Sequence, residues 1–170
     1  VVKALLEHKA NVNKADADGD TALYAAADNG HVEVVKVLLR DRADVDQATT
    51  DTGITPLNIA AQRNQFEVVK ALLEHKANVN KARTDNGITP LLIAAERGHV
   101  PVVKALLEHK ATNVNQARPD TGITPLNIAA AREHVEVVKA LVEHKAINVN
   151  QARTDNGITP LHIAAIRDNL

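Results

Sequence analysis

The stretch Thr159-Pro160-Leu161-His162-Ile163-Ala164-Ala165 decides the fold, because its opening Thr-Pro-Leu recurs along the chain at a nearly constant spacing. The same triplet begins at Thr55, Thr89 and Thr124, and Thr21 opens a degenerate first copy, giving steps of 34, 34, 35 and 35 residues. A second marker, Val-Val-Lys, occurs at residues 1–3, 34–36, 68–70, 102–104 and 137–139. Repeats of this length are typical of solenoids, in which each unit packs on its neighbours.

Each period contains two helical patterns joined by short polar stretches. Threonine can cap a helix and proline is tolerated at its first position, so a first helix is predicted over about residues 90–97, ending near Gly98. In the second pattern, residues 67–75, valines and leucines three and four positions apart form one apolar face. The turn Asp85-Asn86-Gly87 between units predicts a hairpin. The sequence therefore predicts an all-α solenoid.

Composition excludes several classes of protein. The 170 residues are 45% hydrophobic and 24% charged, with a formal net charge of -1, one Tyr, one Phe and no Cys. Disulfides, cysteine nucleophiles and thiolate metal sites are therefore excluded. With no apolar run of about 20 residues and no signal peptide pattern, we expect no membrane insertion and an intracellular location, cytoplasmic or nuclear. The near-neutral charge argues against nucleic acid as the partner.

The repeat resembles the ankyrin family. Tetratricopeptide repeats share the period, but their tryptophan and tyrosine landmarks are missing here. Residues 159–165 are similar to the ankyrin opening motif, residues 98–100 to the link between helices, and residues 77–80 to the closing strand. The resemblance covers the whole chain and implies one ankyrin-repeat domain, residues 1–170, of stacked helix-turn-helix units with β-hairpin loops and a concave face. The predicted units are 1–13 (partial), 14–46, 47–80, 81–115, 116–150 and 151–170 (partial).

Departures from the family pattern concern the end of the second helix. The family commonly places a left-handed glycine there, whereas this chain has basic residues, at a predicted cost of up to about 1 kcal/mol each. These residues are Lys9, Arg42, Lys76, Lys110 and Lys145. Two units add a residue, Thr112 or Ile147, before the closing Asn-Val-Asn. Pro101, in the first turn of its helix, is predicted to be tolerated.

Neither end of the chain shows the polar cap that a solenoid requires, so we expect a fragment of a longer array. Apolar residues at the two ends could then stack on neighbouring molecules, which predicts a capacity for end-to-end self-association. These residues are Val2, Leu5, Leu6, Ile163 and Ile166.

Two rows of residues are candidates for binding a partner. The arginine row comprises Arg63, Arg97, Arg132 and Arg167, late in successive first helices, with Asp28 assigned to the first unit. The isoleucine row comprises Ile54, Ile88, Ile123 and Ile158, just after the turn glycine, with Asp20 in the first unit. Guanidinium groups bind carboxylates or phosphates through paired hydrogen bonds, and the isoleucines could form an apolar surface beneath a bound peptide. The alternatives are solvated arginines paired with Glu96 or Glu133, and isoleucines that only stack on each other.

Charge is unevenly distributed along the chain. Residues 1–50 carry 6 basic and 9 acidic side chains, whereas residues 51–170 carry 14 and 12. The first unit is acidic, and this polarity could orient a bound peptide. A third arginine series, Arg83, Arg118 and Arg153, stands two residues before an aspartate each time, which predicts local ion pairs.

The histidines predict neither a metal site nor acid–base catalysis. The Glu-His pairs in second helices, such as Glu74-His75, are consecutive and do not face one another, while His31, His99 and His134 match a structural family position. No catalytic motif stands out, so no catalytic, cofactor or metal residue is predicted. The resemblance implies a non-catalytic protein-binding module that uses the hairpin tips and the concave face, with an acidic peptide as a candidate partner. Alternatives are recognition of a polyanion (RNA, oligonucleotide or phospholipid headgroup) by the arginine row, or a spacer array.

Overall fold

The computed structural model describes residues 1–167, which form ten α-helices and no strand. The helices are α1 Val2–Glu7, α2 Ala22–Asp28, α3 Val32–Arg40, α4 Pro56–Gln62, α5 Phe66–Glu74, α6 Pro90–Arg97, α7 Val100–Glu108, α8 Pro125–Ala131, α9 Val135–Val142 and α10 Pro160–Arg167. The first helices, α2, α4, α6, α8 and α10, pack side by side in one layer. The second helices, α3, α5, α7 and α9, form a parallel layer against it. The predicted all-α solenoid is confirmed.

The four first helices that follow Thr-Pro begin at that proline, and α2 begins at Ala22, directly after Thr21. The Thr55 hydroxyl accepts a hydrogen bond from the Asn58 amide at 3.1 Å, and the Asn58 side chain accepts one from the Thr55 amide at 3.0 Å. This reciprocal capping box satisfies donors that a helix terminus leaves unpaired. Asn58 also donates to the Lys81 carbonyl of the next unit at 3.2 Å, so the cap ties two repeats together. At the other end of a first helix, Gly98 terminates α6 with φ of 72°.

The core is made of small aliphatic side chains between the two layers. Leu57, Leu72 and Leu106 are completely buried, and the alanines of the first helices, such as Ala60, have no exposed surface. Small residues allow neighbouring helices to approach closely, and the leucines fill the space between layers. This core is continuous from α2 to α9, so no repeat is stabilised by itself alone.

The link between the two helices of a unit carries a contact to the preceding unit. The His99 ring donates from Nε2 to the Gln62 carbonyl at 3.1 Å, and His134 donates to the Glu96 carbonyl at 3.0 Å. Gln65 stands in for histidine in its unit, with its side-chain nitrogen 3.5 Å from the Asp28 carbonyl. Each side chain reaches a carbonyl at the end of the previous first helix, so the predicted structural role of His99 and His134 is confirmed.

The predicted hairpins are present as tight turns without strands. In the third unit the Arg83 amide donates to the Ile88 carbonyl at 3.0 Å and the Gly87 amide to the Arg83 carbonyl at 3.1 Å. These two bonds close the turn, and its arms offer too few further pairs for a strand assignment.

Neighbouring turn tips are joined by backbone hydrogen bonds at all but one junction. The tip bonds are Thr50 amide to Asp18 carbonyl, Thr84 amide to Thr52 carbonyl and Thr154 amide to Thr121 carbonyl, at 3.3, 3.0 and 3.0 Å. At the remaining junction the donor position is Pro119, which has no amide hydrogen. Its ring lies instead against Gly87. The third and fourth tips are therefore held by packing and not by this bond.

Second helices end in two different ways, and this corrects the expectation for Lys110 and Lys145. Lys9, Arg42 and Lys76 have the predicted positive φ, at 63°, 64° and 65°. In the last of these, the Ala77 amide bonds the Leu72 carbonyl at 3.0 Å, a Schellman closure.

Lys110 and Lys145 do not have positive φ, because the extra residue in their units lets the chain leave the helix by another route. In the third unit the backbone becomes extended at His109, and the Thr112 hydroxyl donates a hydrogen bond to the Leu106 carbonyl at 2.5 Å. The predicted strain therefore applies only to the three units without the insertion.

This difference predicts a matched pair of glycine substitutions. We expect Lys76→Gly to raise the free energy of unfolding by up to about 1 kcal/mol, since glycine adopts positive φ without strain. Lys110→Gly has no such strain to relieve and should be neutral or destabilising, because glycine gains entropy in the unfolded chain. Urea denaturation of both variants measures the difference, and an equal response of the two would contradict it.

Each of the four predicted full units encloses one helix pair, and each partial unit contains one described helix. Residues 14–46 contain α2 and α3, residues 47–80 contain α4 and α5, and the next two units follow the same arrangement. At the chain ends, Leu5 and Ile166 are exposed, while Val2, Leu6 and Ile163 are half-buried. The boundaries and the end-to-end association stay predictions.

Candidate functional site

The arginine row lies at the end of successive first helices. Arg63 and Arg132 cap α4 and α8, and Arg97 and Arg167 are the last residues of α6 and α10. All four are exposed. The assignment of Asp28 to this row was wrong, because α2 ends at Asp28 and its cap, Asn29, is the residue equivalent to Arg63. Asp28 occupies the position one residue before that of the arginine row.

Ion pairs across the repeats engage two members of the row. The Arg63 Nε atom lies 2.7 Å from a carboxylate oxygen of Asp28, and an Arg132 nitrogen lies 2.9 Å from Glu96. Each acid is in the unit before its arginine, so the pair forms across the stacking interface. The hydrogen bond to Asp28 raises the pKa of Arg63 above its ordinary value.

Arg97 differs from these two arginines. The position that provides Asp28 and Glu96 in other units is occupied by Gln62 before Arg97. Within residues 1–167, Arg97 makes no ion pair. The Gln62 side chain cannot neutralise a guanidinium, so Arg97 presents an exposed positive charge between two arginines already paired. Among the described residues, Arg63 and Arg132 are paired and Arg97 is not, so the members of the row are not equivalent.

The isoleucine row lies beside the turn tips and is half-buried throughout. Ile54 and Ile88 pack against the core, and Ile123 and Ile158 keep a comparable exposure. The row therefore contributes to stacking along the array and still presents part of its surface beside the tips. Its contribution to binding stays a prediction.

The first turn tip concentrates negative charge. Asp20 is half-buried, and the pKa of its carboxyl is raised by burial and by repulsion from Asp16, Asp18, Asp51 and Asp28. The Asp16 carboxylate accepts backbone hydrogen bonds within this turn, from Asp18 and Asp20. The equivalents of Asp20 in later units are the isoleucines. A charged side chain therefore occupies a position where the other units have a half-buried apolar one.

Neutralising Asp20 should stabilise the fold at neutral pH. Because the folded-state pKa is raised, the ionised carboxylate opposes folding, and Asp20→Asn should unfold at a higher temperature than the wild type at pH 7. This advantage should shrink as the pH falls through the folded-state pKa of Asp20, and vanish once the group is protonated in both states. Asp155→Asn is the control, since its hydrogen bond from Arg153 lowers the Asp155 pKa. A gain for Asp155→Asn, or a pH-independent gain for Asp20→Asn, would contradict this account.

The third arginine series forms the predicted local ion pairs. Arg83 and Arg118 each lie 2.7 Å from the aspartate two residues later, and Arg153 pairs in the same way with Asp155. The guanidinium groups of Arg83 and Arg118 also donate from Nε to these carboxylates, so the contacts are bidentate. These ion pairs stabilise the conformation of the tips. Because each guanidinium is already paired with a carboxylate, these arginines attract an acidic partner only weakly.

Two histidines of the second helices bond the backbone of their own helix. His8 and His75 use Nδ1 to contact the carbonyls four residues earlier, at 2.8 and 2.9 Å. In the described part of the chain, no group of three or more His, Asp or Glu residues could hold a metal ion. None of the described helices is long and apolar enough to cross a membrane.

The comparisons with known proteins agree with this architecture. The family profile described as ankyrin repeats (3 copies) matches residues 1–49, 44–118 and 109–170. A 59-residue segment, 34% of the chain, is 42% identical to alpha-latrocrustotoxin-Lt1a of Latrodectus tredecimguttatus. That segment spans only 4% of the toxin's length. The chain belongs to the ankyrin repeat family, whose members are generally non-catalytic protein–protein interaction modules.

Proposed function

We propose that the chain binds a partner protein through its turn tips and the surface formed by the first helices, and that an acidic segment of the partner contacts the arginine row. The single observation that carries this proposal is Arg97, an exposed arginine that pairs with no carboxylate among residues 1–167 and lies between two arginines that do. We further propose that the module acts without catalysis and in an intracellular compartment.

Electrostatics supports an acidic ligand at this position. Arg63 and Arg132 are held by acids of the preceding unit, so they are oriented but partly neutralised. A carboxylate of the partner would gain the most binding free energy at Arg97, because a bidentate contact there replaces the water around both charged groups. Such a contact adds specificity and speeds encounter, because unlike charges attract before contact.

The acidic first tip supports a defined orientation of the ligand. Asp20 and its acidic neighbours repel a negative segment at one end of the array, whereas Arg97 attracts it two units further on. A peptide with an acidic end and a basic end would therefore bind in one direction. The half-exposed isoleucines, Ile88 in particular, provide apolar contact beside the path between these two regions.

The proposal is tested by titrating the purified chain with an acidic peptide and measuring the affinity by isothermal titration calorimetry. Arg97→Ser should weaken binding by about tenfold or more. Arg63→Ser is the matched control and should have a smaller effect, since Asp28 already neutralises Arg63. Equal losses for the two variants, or no binding by any acidic peptide, would contradict the proposal.

Polyanion recognition is distinguished in the same experiment. If oligonucleotides or anionic phospholipid vesicles bind more tightly than the acidic peptide, and with a steep dependence on salt, the arginine row is a polyanion site and not a protein site. The shortage of aromatic side chains argues against stacking of nucleic acid bases.

A further inference from the structure

A wide groove runs between α5 and α7 in the second-helix layer, with a volume of about 600 Å³. We call it the outer groove. The corresponding groove between α7 and α9 has a volume of about 240 Å³. The two grooves are built by equivalent helices of successive repeats, so the difference in volume comes from the side chains.

Two residues distinctive of this junction make the outer groove apolar. Phe66 opens α5 where the other second helices have Val32, Val100 or Val135. Pro101 stands in α7 where the other units have Glu33, Glu67 or Glu136. Together with Leu73 and Ala105, these two residues line the groove with carbon atoms that remain partly exposed.

Charged residues line the groove at two levels. Lys70 and Lys104 occupy equivalent positions on the two parallel helices, and Glu74 and Glu108 follow one helical turn later. Four residues of helix correspond to a rise of about 6 Å. The Lys70 ammonium lies 5.3 Å from the centroid of the Phe66 ring, so the positive level borders the apolar end of the groove. The negative level lies at the far end.

The substitution at position 101 also changes the charge of the groove. In the other three units a glutamate holds the lysine three residues later, as in Glu33–Lys36 at 3.1 Å, Glu67–Lys70 at 3.8 Å and Glu136–Lys139 at 2.8 Å. Pro101 has no carboxylate with which to pair Lys104, and within the described residues Lys104 makes no ion pair. Its ammonium group is available to a ligand.

We propose that the outer groove binds an amphipathic helix of a partner protein, with apolar side chains over Phe66 and Pro101 and with an acidic and a basic residue one turn apart. The acid meets Lys104, which makes no ion pair within the described residues, beside Lys70, which Glu67 already pairs. The base meets Glu74 and Glu108. A helix laid in an apolar groove between two helices is a recurrent mode of recognition.

The arrangement of charged residues along the groove favours a helix over other ligands. A small amphipathic anion would gain from the two lysines but would meet the two glutamates about 6 Å further on. A helix places opposite charges four residues apart, which is the same spacing as that between Lys70 and Glu74. Both levels of charge are then neutralised by one ligand.

The test uses three synthetic amphipathic helical peptides with the same leucine stripe. In the first a glutamate precedes a lysine by four residues beside the stripe, in the second the order is reversed, and in the third both are glutamine. At least one charged peptide should bind with amide NMR shifts confined to α5 and α7, and the glutamine peptide should bind about tenfold more weakly. Absence of binding by both charged peptides, or equal binding of the glutamine peptide, overturns the proposal.

Variants of the chain complete the test. Pro101→Glu restores the residue of the other units, so it should fold normally while closing the groove and pairing Lys104, and it should weaken binding about tenfold. Val135→Glu adds the same charge at an exposed position of α9 and should leave binding unchanged. Tight binding of dodecanoate, or dimerisation of the chain through α5 and α7, would assign the groove to another occupant and overturn the proposal. This inference is independent of the proposed function, because Arg97→Ser should not affect it.

Discussion

Replacing Leu57 with alanine should lower the free energy of unfolding by about 2–5 kcal/mol. Leu57 has no exposed surface, and it lies in α4 between the two layers and between neighbouring units. Removing its three terminal carbon atoms leaves a cavity that the close-packed helices cannot fill, since the surrounding alanines are already small. Because neighbouring repeats share this core, the loss affects more than one unit.

Leu161→Ala is the matched control for this prediction. Leu161 is the equivalent residue of α10 and is 77% exposed, so its truncation should change stability by less than about 0.5 kcal/mol. Urea denaturation followed by circular dichroism measures both variants. If the two variants were equally destabilised, burial of the side chain in the core would not be the source of the effect.

Replacing Gly53 with alanine should cost about 2–4 kcal/mol, because it combines backbone strain with a clash. Gly53 has φ of +67°, and a Cβ atom there would lie 2.8 Å from the Thr84 backbone nitrogen and 2.5 Å from its hydroxyl oxygen. That nitrogen donates the hydrogen bond to Thr52 that joins the two tips. The fold must therefore move one tip away from the next.

Gly157→Ala isolates the strain from the clash. Gly157 has φ of +71°, but a Cβ atom there would meet nothing within 4 Å. Its substitution should cost only about 1 kcal/mol. Thermal denaturation of the two variants gives the difference, and equal losses would show that the stacking of tips contributes nothing.

Local signals in the sequence predict most of the fold. Thr-Pro fixes the beginning of each first helix, since the hydroxyl cap and the proline ring act within one turn. The ends of second helices could be predicted only in part. Lys76 and Lys110 look equivalent along the sequence, but the inserted Thr112 changes the closure of the helix and so the conformation of Lys110.

The arginine row was found from the sequence, but the special position of Arg97 was not. Its isolation depends on a different residue series, one position earlier in each unit, that faces the arginine of the following unit. That series reads Asp28, Gln62, Glu96, Ala131 and Ile166. When the two series are compared across neighbouring units, Arg63 and Arg132 face an acid, whereas Arg97 faces Gln62 and Arg167 faces Ala131. The outer groove was missed because Phe66 and Pro101 belong to different units and meet only when the repeats stack.

Affinity capture from cell extract followed by mass spectrometry tests the central claim most directly. The wild-type chain is compared with an Arg97→Ser variant and with one in which all four arginines of the row are changed to serine, each confirmed to unfold at the same temperature. We predict that a partner with an acidic segment is captured by the wild type, reduced by Arg97→Ser and lost with the fourfold variant. Capture of the same proteins in the same amounts by all three would contradict binding through the arginine row.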